Sequence, residues 1–590
     1  MNKYLRGKSN YDKWPVIKVK KVQHECLTGW ENICKHLFEQ LQKLQKNKKV
    51  IVFETYQGVI DEEIIYVLQD NLKGTWFFSK DFMLSEDEID SLVHPDVTDD
   101  EVFGYMTRLT IEDFFDASKL KDAKKLIEEK EGPVIVYGCG ASLLCPEPDL
   151  LIYLDMARWE IQQRFRKNKV SNLGIGNKEL KASLQYKRAF FVDWRVCDRL
   201  KKQLLSLWDF VLDTNVEHQP KMVNGKDLRA AYRQAITQPF RVVPFFDPGP
   251  WGGQWMKEYC DLDRDAENFA WCFDCVPEEN SLLLQFGNVV FETPSINLVF
   301  YQSEKLLGSA VQARFGDEFP IRFDFLDTMD GGNLSLQVHP TTEYIQEKFG
   351  MHYTQDESYY LLDAGTDACV YLGFKGNISS MEMIQNLNRA QDAGIPFDVE
   401  KYVEKWPVKK HDHLLIPAGT IHCSGANSMV LEISATPYIF TFKLWDWGRM
   451  GLDGKPRPIN IEHGQAVMNW SRTKDWVKNE LINSVQRIDE GEGWIEEKTG
   501  LHEREFIETR RHWFTQKVTH HTNGSVNVLN LVDGKEAAVE SPTNAFEPFI
   551  VHYAETFIIP EAVKEYTVKP YGASKGKQCA TIKAFVRMKP

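Results

Sequence analysis

The chain of 590 residues lacks any run of about 20 apolar residues, so no segment reads as a membrane-spanning helix. Its start, MNKYLRGKSNYDKW, lacks the apolar stretch of a secretory signal, and the expected location is cytoplasmic. Cysteine is sparse. Eleven scattered thiols, an odd number, suit a reducing compartment and exclude a disulfide framework. Only Cys272 and Cys275, in WCFDCVP, have CxxC spacing, and without a second such pair they read as small core residues. Positive charge is also in deficit. With 71 Lys and Arg against 85 Asp and Glu, the formal charge of -14 would attract neither nucleic acid nor an acidic membrane. The basic runs KNKK and KLKDAKK then read as solvated helix faces.

What is present is enough apolar material for several cores. The chain is 43% hydrophobic and 12% aromatic, and its length exceeds what one core usually supports. Three blocks are expected. Residues 1–225 alternate short apolar runs (KVIVFETY, GTWFFSK, PVIVYGCG, DLLIYLDM) with amphipathic segments, which predicts an α/β layer domain with a mainly parallel sheet. Residues 226–474 are richer in turns, as in PFFDPGPWGGQW and TMDGGN, between short runs such as LSLQVH, CVYLGF, HLLIPA and MVLEIS. This texture predicts antiparallel β structure closing into a barrel or jelly roll. Helical insertions are expected at SSMEMIQNLNRAQDA and around INIEHGQAVMNW. Residues 475–590 return to β-like runs and predict a second barrel without an evident metal set.

The first block resembles the P-loop nucleoside kinases, on its buried strand at 50–53 running into ETYQGVIDEE, on GPVIVYGCGASLL, and on LIYLDMARWEIQQRFR with arginines Arg158, Arg164 and Arg166. It departs from them where phosphate would bind. A phosphate loop needs a glycine-rich turn, a lysine and a Ser/Thr, whereas this chain has Gly58 followed by Asp61, Glu62 and Glu63. Carboxylates there would repel a nucleotide. A degenerate kinase fold serving regulation, ligand sensing or oligomer contacts is the expectation, and a homo-oligomer is compatible with it.

In the second block, Gln337 and His339 (SLQVHP), Glu357 (QDESYY) and His422 (PAGTIHCSG) offer two imidazoles, a carboxylate and an amide oxygen to one metal ion. Residues two apart on a strand share a face, so Gln337 and His339 would aim at one point. This donor set suits zinc, with Mn, Fe, Co and Ni not excluded. No closed thiolate shell surrounds it, so positions stay open for substrate or water.

These segments resemble the type I phosphomannose (mannose-6-phosphate) isomerases, a family of cupin fold. WGGQW, FPIRFDFLDTMDGGNLSLQVHP, DESYYLLDAG, LLIPAGTIHCSGANSMVLEI and FKLWDWGRMGLDGKPRPINIEHG match in order. The resemblance implies a cupin pair with helical insertions. It implies Gln337, His339, Glu357 and His422 as metal ligands and Arg449 as a catalytic group. The implied reaction interconverts mannose 6-phosphate and fructose 6-phosphate through a cis-enediol. Such a reaction needs a donor at the developing oxyanion, a base near carbon and cations for phosphate. Arg449 stays protonated, so it serves electrostatically rather than as a base. Glu432, in MVLEIS, is the candidate base. Lys443, where shorter members commonly carry arginine, is a candidate phosphate donor, and Lys455 and Arg457 lie in the turn that follows. Trp445 and Trp447 read as core and pocket wall.

Two positions differ from the family pattern. Gln355 and Asp324 stand where the family usually has lysines. Their loss would weaken phosphate binding, so two alternatives stay open: a catalytically weak or inactive sugar-phosphate-binding regulatory protein, or an isomerase for a different sugar.

Overall fold

A computed structural model describes residues 9–588, apart from 394, 438, 451–456, 501 and 503–504. The chain forms two compact units, both discontinuous in sequence. One comprises residues 16–234 and 279–301, and the other residues 1–15, 235–278 and 302–590. The sequence pattern, which placed breaks at about 225 and 474, shows no sign of this interleaving.

The first unit is built on a sheet of seven strands. In spatial order these are Leu27–Thr28, Lys221–Asn224, Phe210–Asp213, Leu150–Asp155, Lys49–Thr55, Pro133–Gly138 and Thr75–Phe78. The last five are mutually parallel. KVIVFET is buried along nearly its whole length, as a strand covered on both faces should be. Strand order reverses at Lys49–Thr55, which has Pro133–Gly138 on one side and Leu150–Asp155 on the other. A small sheet of Val16–Lys18, Ser281–Phe286 and Val289–Pro294 completes the unit and explains why residues 279–301 belong to it.

Arg158 and Arg164 are buried here. Arg158 pairs with Asp198, and Arg164 donates to the carbonyls of Gly58, Thr214 and Asn215 at 2.8, 2.7 and 3.1 Å. Both side chains hold the fold from within. Arg166 is exposed and lies over the ring of Trp159.

The second unit is antiparallel β structure in two sheet pairs. In the first pair, one sheet orders His413–Ile416, Glu357–Ala364, Ser428–Ala435, Ile321–Asp327, Trp271–Cys275 and Phe245–Asp247. Its partner orders Val403–Pro407, Cys369–Phe374, His422–Ser424, Leu336–Val338 and Phe442–Trp445. The helices Ser380–Ala393 and Ile461–Val467 fall where the insertions were expected. Cys272 and Cys275 are buried in their strand, and burial pushes both thiols well above the ordinary range.

In the second pair, a six-stranded sheet with Gln486–Gly491 and Thr556–Ile559 at its edges meets a four-stranded one. Phe514, Leu531 and Phe557 from the first pack with Val539, Tyr566 and Val568 from the second, which is the core of two sheets face to face. None of the described helices is long and apolar enough to cross a membrane.

Candidate metal centre

Alternation along short strands builds the centre. Gln337 lies on Leu336–Val338, with His339 two residues on and therefore on the same face. His422 begins its own strand and sits directly across from Gln337, while Lys443 sits across from Gln337 on the other side. Cross-strand neighbours share a face, so His422, Gln337 and Lys443 form a row across three strands. Glu357 comes from the other sheet of the pair, at the start of Glu357–Ala364.

The four side chains converge and are buried, with Gln337 the most exposed at 7%. His339 Nε2 lies 3.1 Å from Glu357 Oε2, and His422 Nε2 lies 2.8 Å from Glu357 Oε1. Donor atoms of His339, Glu357 and His422 all fall within 4.8 Å of one another, the one such cluster of three among the described residues. Gln337 Nε2 is 3.3 Å from His422 Nε2, and turning the amide over presents its oxygen instead.

The donor set fits a cation. His339 Nδ1 donates to the carbonyl of Phe440 at 3.2 Å and His422 Nδ1 to that of Thr420 at 2.8 Å, which leaves both Nε2 lone pairs facing inward. His339 Nε2 and Glu357 Oε1 are buried yet make no hydrogen bond. Buried polar atoms are rarely left so, and a metal ion would satisfy both. Burial alone would raise the Glu357 carboxyl, but the imidazoles of His339 and His422 outweigh it and hold Glu357 well below its usual value.

Around the ligands the two sheets differ in charge. On the Glu357 side, Gln355 Nε2 donates to Glu357 Oε2 at 2.8 Å and reaches Glu432 Oε1 at 3.3 Å. The amide thus bridges a candidate metal ligand and the candidate base. Glu432 and Asp324 face each other on adjacent strands, and Arg322 sits between them. Its guanidinium pairs with Asp324 Oδ2 at 3.0 Å and with Glu432. Burial, then the nearby Glu357, pushes the Glu432 carboxyl up to about 7 against the pull of Arg322.

On the other side, cations gather around one carboxylate. Arg449 Nη2 meets Asp446 Oδ1 at 2.7 Å, Arg457 Nη1 meets Asp446 Oδ2 at 3.0 Å, and Ser335 Oγ donates to Asp446 Oδ1 at 2.7 Å. Lys443 is held down to about 8, by burial first and then by Arg457 and Arg449, with Asp446 opposing. Lys455 lies outside the described residues. Trp445 is buried, and Trp447 donates to the carbonyl of Leu334 at 2.7 Å, as wall residues do.

Three neighbours of the candidate site are not indicated by the sequence pattern. Arg322 stands two residues before Asp324 on the same strand face, a spacing that was available to be noticed. Asp446 gathers its cations through a turn. Arg472, far along the chain, caps the PAGT loop by donating to the carbonyls of Pro417 and Ala418 at 2.6 and 2.7 Å.

Fold and site together define a chain with a buried His/Glu/His cluster between antiparallel sheets, joined to a parallel α/β unit. Known proteins match it in part. The family described as "Domain of unknown function (DUF8485)" matches residues 29–237. The Bacillus subtilis (strain 168) mannose-6-phosphate isomerase ManA is 23% identical over 233 residues, covering 39% of this chain and 68% of that protein. The Streptococcus mutans mannose-6-phosphate isomerase is 26% identical over 220 residues, covering 37% of this chain and 64% of its own length. The chain thus spans about two thirds of the curated relatives it matches.

Among solved structures, the mannose 6-phosphate isomerase from Bacillus subtilis aligns over 59% of this chain and 99% of its own at 17% identity and a TM-score of 0.48. A phosphomannose isomerase from Salmonella typhimurium aligns over 60% and 100% at 12% identity and a TM-score of 0.45.

Proposed function

We propose that the protein is a metal-dependent aldose-ketose isomerase that interconverts mannose 6-phosphate and fructose 6-phosphate in the cytoplasm. The observation that carries this reading is the division of charge around the metal centre. Carboxylates lie on the Glu357 sheet, and Lys443, Arg449 and Arg457 lie at the edge of the Gln337 sheet. A sugar phosphate fits this division with its phosphate toward the cations and its reacting carbons toward Glu432.

Gln337, His339, Glu357 and His422 would hold the ion, with zinc the favoured metal. Bound there, it would supply Lewis-acid stabilisation of an oxyanion. Glu432 takes the proton from C2 of the open-chain aldose and returns it to C1, passing through a cis-enediol. A carboxyl poised near neutrality suits a group that must both accept and donate. Gln355 positions Glu432 by tying it to Glu357, and Arg322 holds it from the other side. Arg449 stabilises the developing oxyanion electrostatically and Lys443 binds phosphate, work that a guanidinium and a point charge perform differently. Residues 226–474, without the segment 279–301, serve as the catalytic cupin, residues 475–590 as a second one, and residues 1–225, without the first fifteen, as a degenerate nucleoside-kinase-like domain that takes in 279–301. The sole partner in this reading is the sugar phosphate.

A second reading has one observation in its favour. Gln355 and Asp324 place no free cation beside Glu357, because Arg322 is shared between two carboxylates. A sugar-phosphate-binding regulatory protein without turnover would tolerate this.

Metal analysis with a coupled assay for fructose 6-phosphate formation separates the two. Bound zinc with steady turnover supports the isomerase. Bound zinc without turnover, and none restored in Gln355→Lys, overturns it.

A further inference from the structure

The parallel α/β unit contains a cavity that the isomerase reading does not use. Its volume is about 600 Å³, and Thr55, Phe78 and Gly138, the last residues of three parallel strands, all line it. In open α/β sheets the carboxyl ends of strands at a reversal of strand order form the usual ligand crevice. Lys49–Thr55 is that reversal strand here. The volume lies within the range of about 300 to 1,000 Å³ typical of small-molecule sites.

The lining disfavours an anion. Asp61, Glu62, Asp81 and Glu86 set four carboxylates along its wall. A dication is no better served, because Lys80, Lys169 and Lys178 share the same wall. Neither sign prevails.

The wall instead offers hydrogen bonds. The Tyr137 hydroxyl donates to Asp61 Oδ1 at 2.8 Å, and Asp61 is exposed, so its carboxylate is both fixed and open to a ligand. Gly138, at φ 124°, brings the strand end against Ser79, where a Cβ would fall 2.3 Å from the hydroxyl. Only glycine permits that approach.

We propose that this cavity binds a neutral polyhydroxylated small molecule, a free sugar or a cyclitol, with its hydroxyls donating to Asp61. The proposal stands independently of the isomerase reading.

The test is calorimetric titration of the full chain with D-mannose, myo-inositol and magnesium-ATP. Binding of D-mannose alone assigns a sugar site, and binding of myo-inositol alone a cyclitol site. Asp61→Asn should weaken that binding roughly tenfold or more, the scale of one hydrogen bond to a charged group. Tyr137→Phe should weaken it less, with both melting curves unchanged. His422→Ala, in the other unit, should leave it intact, which separates this cavity from the metal centre. Failure of both neutral probes to bind at millimolar concentration overturns the proposal. So does binding unaltered in Asp61→Asn, or magnesium-ATP binding more tightly than either.

Discussion

Gln337 and His422 sit directly opposite each other on neighbouring antiparallel strands, with their Nε2 atoms 3.3 Å apart, although 85 residues separate them in the chain. That register places the amide and the imidazole on one face, and Glu357 approaches from the facing sheet. His422→Ala removes one of two imidazoles from a buried three-donor cluster. The purified variant should lose most of its bound metal, as read by plasma emission analysis. Full occupancy would show the ligand set to be different.

Glu432 lies in contact with Gln355 and Arg322, and its carboxyl is raised to about 7 by burial and by Glu357. A base must be deprotonated, so kcat/KM should climb as pH rises through about 7. Glu432→Gln should lower turnover about a hundredfold or more and abolish that limb, since general-base contributions are of about this size. Retention of the limb would assign it to another group.

Arg449 makes its ion pair with Asp446, outside the ligand set. Arg449→Ala should therefore leave metal content and melting temperature unchanged. Activity should fall by about two orders of magnitude, the scale for losing an electrostatic catalytic group. Loss of metal in this variant would contradict the placement.

Arg322 is the cation shared by two buried carboxylates, Asp324 and Glu432. Arg322→Leu leaves both without it and should destabilise the chain by about 3–5 kcal/mol in urea unfolding. Adding Asp324→Leu should recover part of this loss, because one stranded charge is then gone. An unchanged midpoint in the single variant would mean that the network contributes nothing.

His512 and His520, inside the second sheet pair, lie with ring centroids 4.4 Å apart. Burial holds His512 down to about 4 and His520 well below its usual value. An unfolded histidine takes its proton near 6.5, so between about 6.5 and 4 the unfolded chain binds protons that the folded chain refuses. Stability is thus full above about pH 6.5 and falls as pH drops toward 4. The slope should reach about 1.4 kcal/mol per pH unit for each histidine. His520→Phe should flatten this acid limb in thermal melts, and an identical slope would locate the effect elsewhere.

Much of the centre was legible in the sequence because short strands write their faces in alternation. SLQVHP announces Gln337 and His339 as a pair, and PAGTIH places His422 at the opening of a strand. The helical insertions were readable for a similar reason, since amphipathic runs such as SSMEMIQNLNRAQDA stand out against β texture. The two lost lysines were also visible, at Gln355 and Asp324. Their meaning was not, because Arg322 acts through a cross-strand register that no local pattern records. The arginines of LIYLDMARWEIQQRFR illustrate the opposite case. They are plain in the sequence, yet burial makes Arg158 and Arg164 internal struts.

By itself the sequence determined the donor types of the candidate metal centre, the absence of a phosphate-binding lysine after Gly58, and the change from α/β to β texture. These are properties of residue identity and short-range spacing. Tertiary structure alone decided which carboxylates share Arg322 and which cations gather on Asp446. It also decided that residues 279–301 join the α/β unit and that Gly140 N and Ser142 N donate to the buried Glu54 carboxylate. Each of these depends on strand register and chain return over many residues, where packing and the pairing of buried charge, rather than local preference, select the partner.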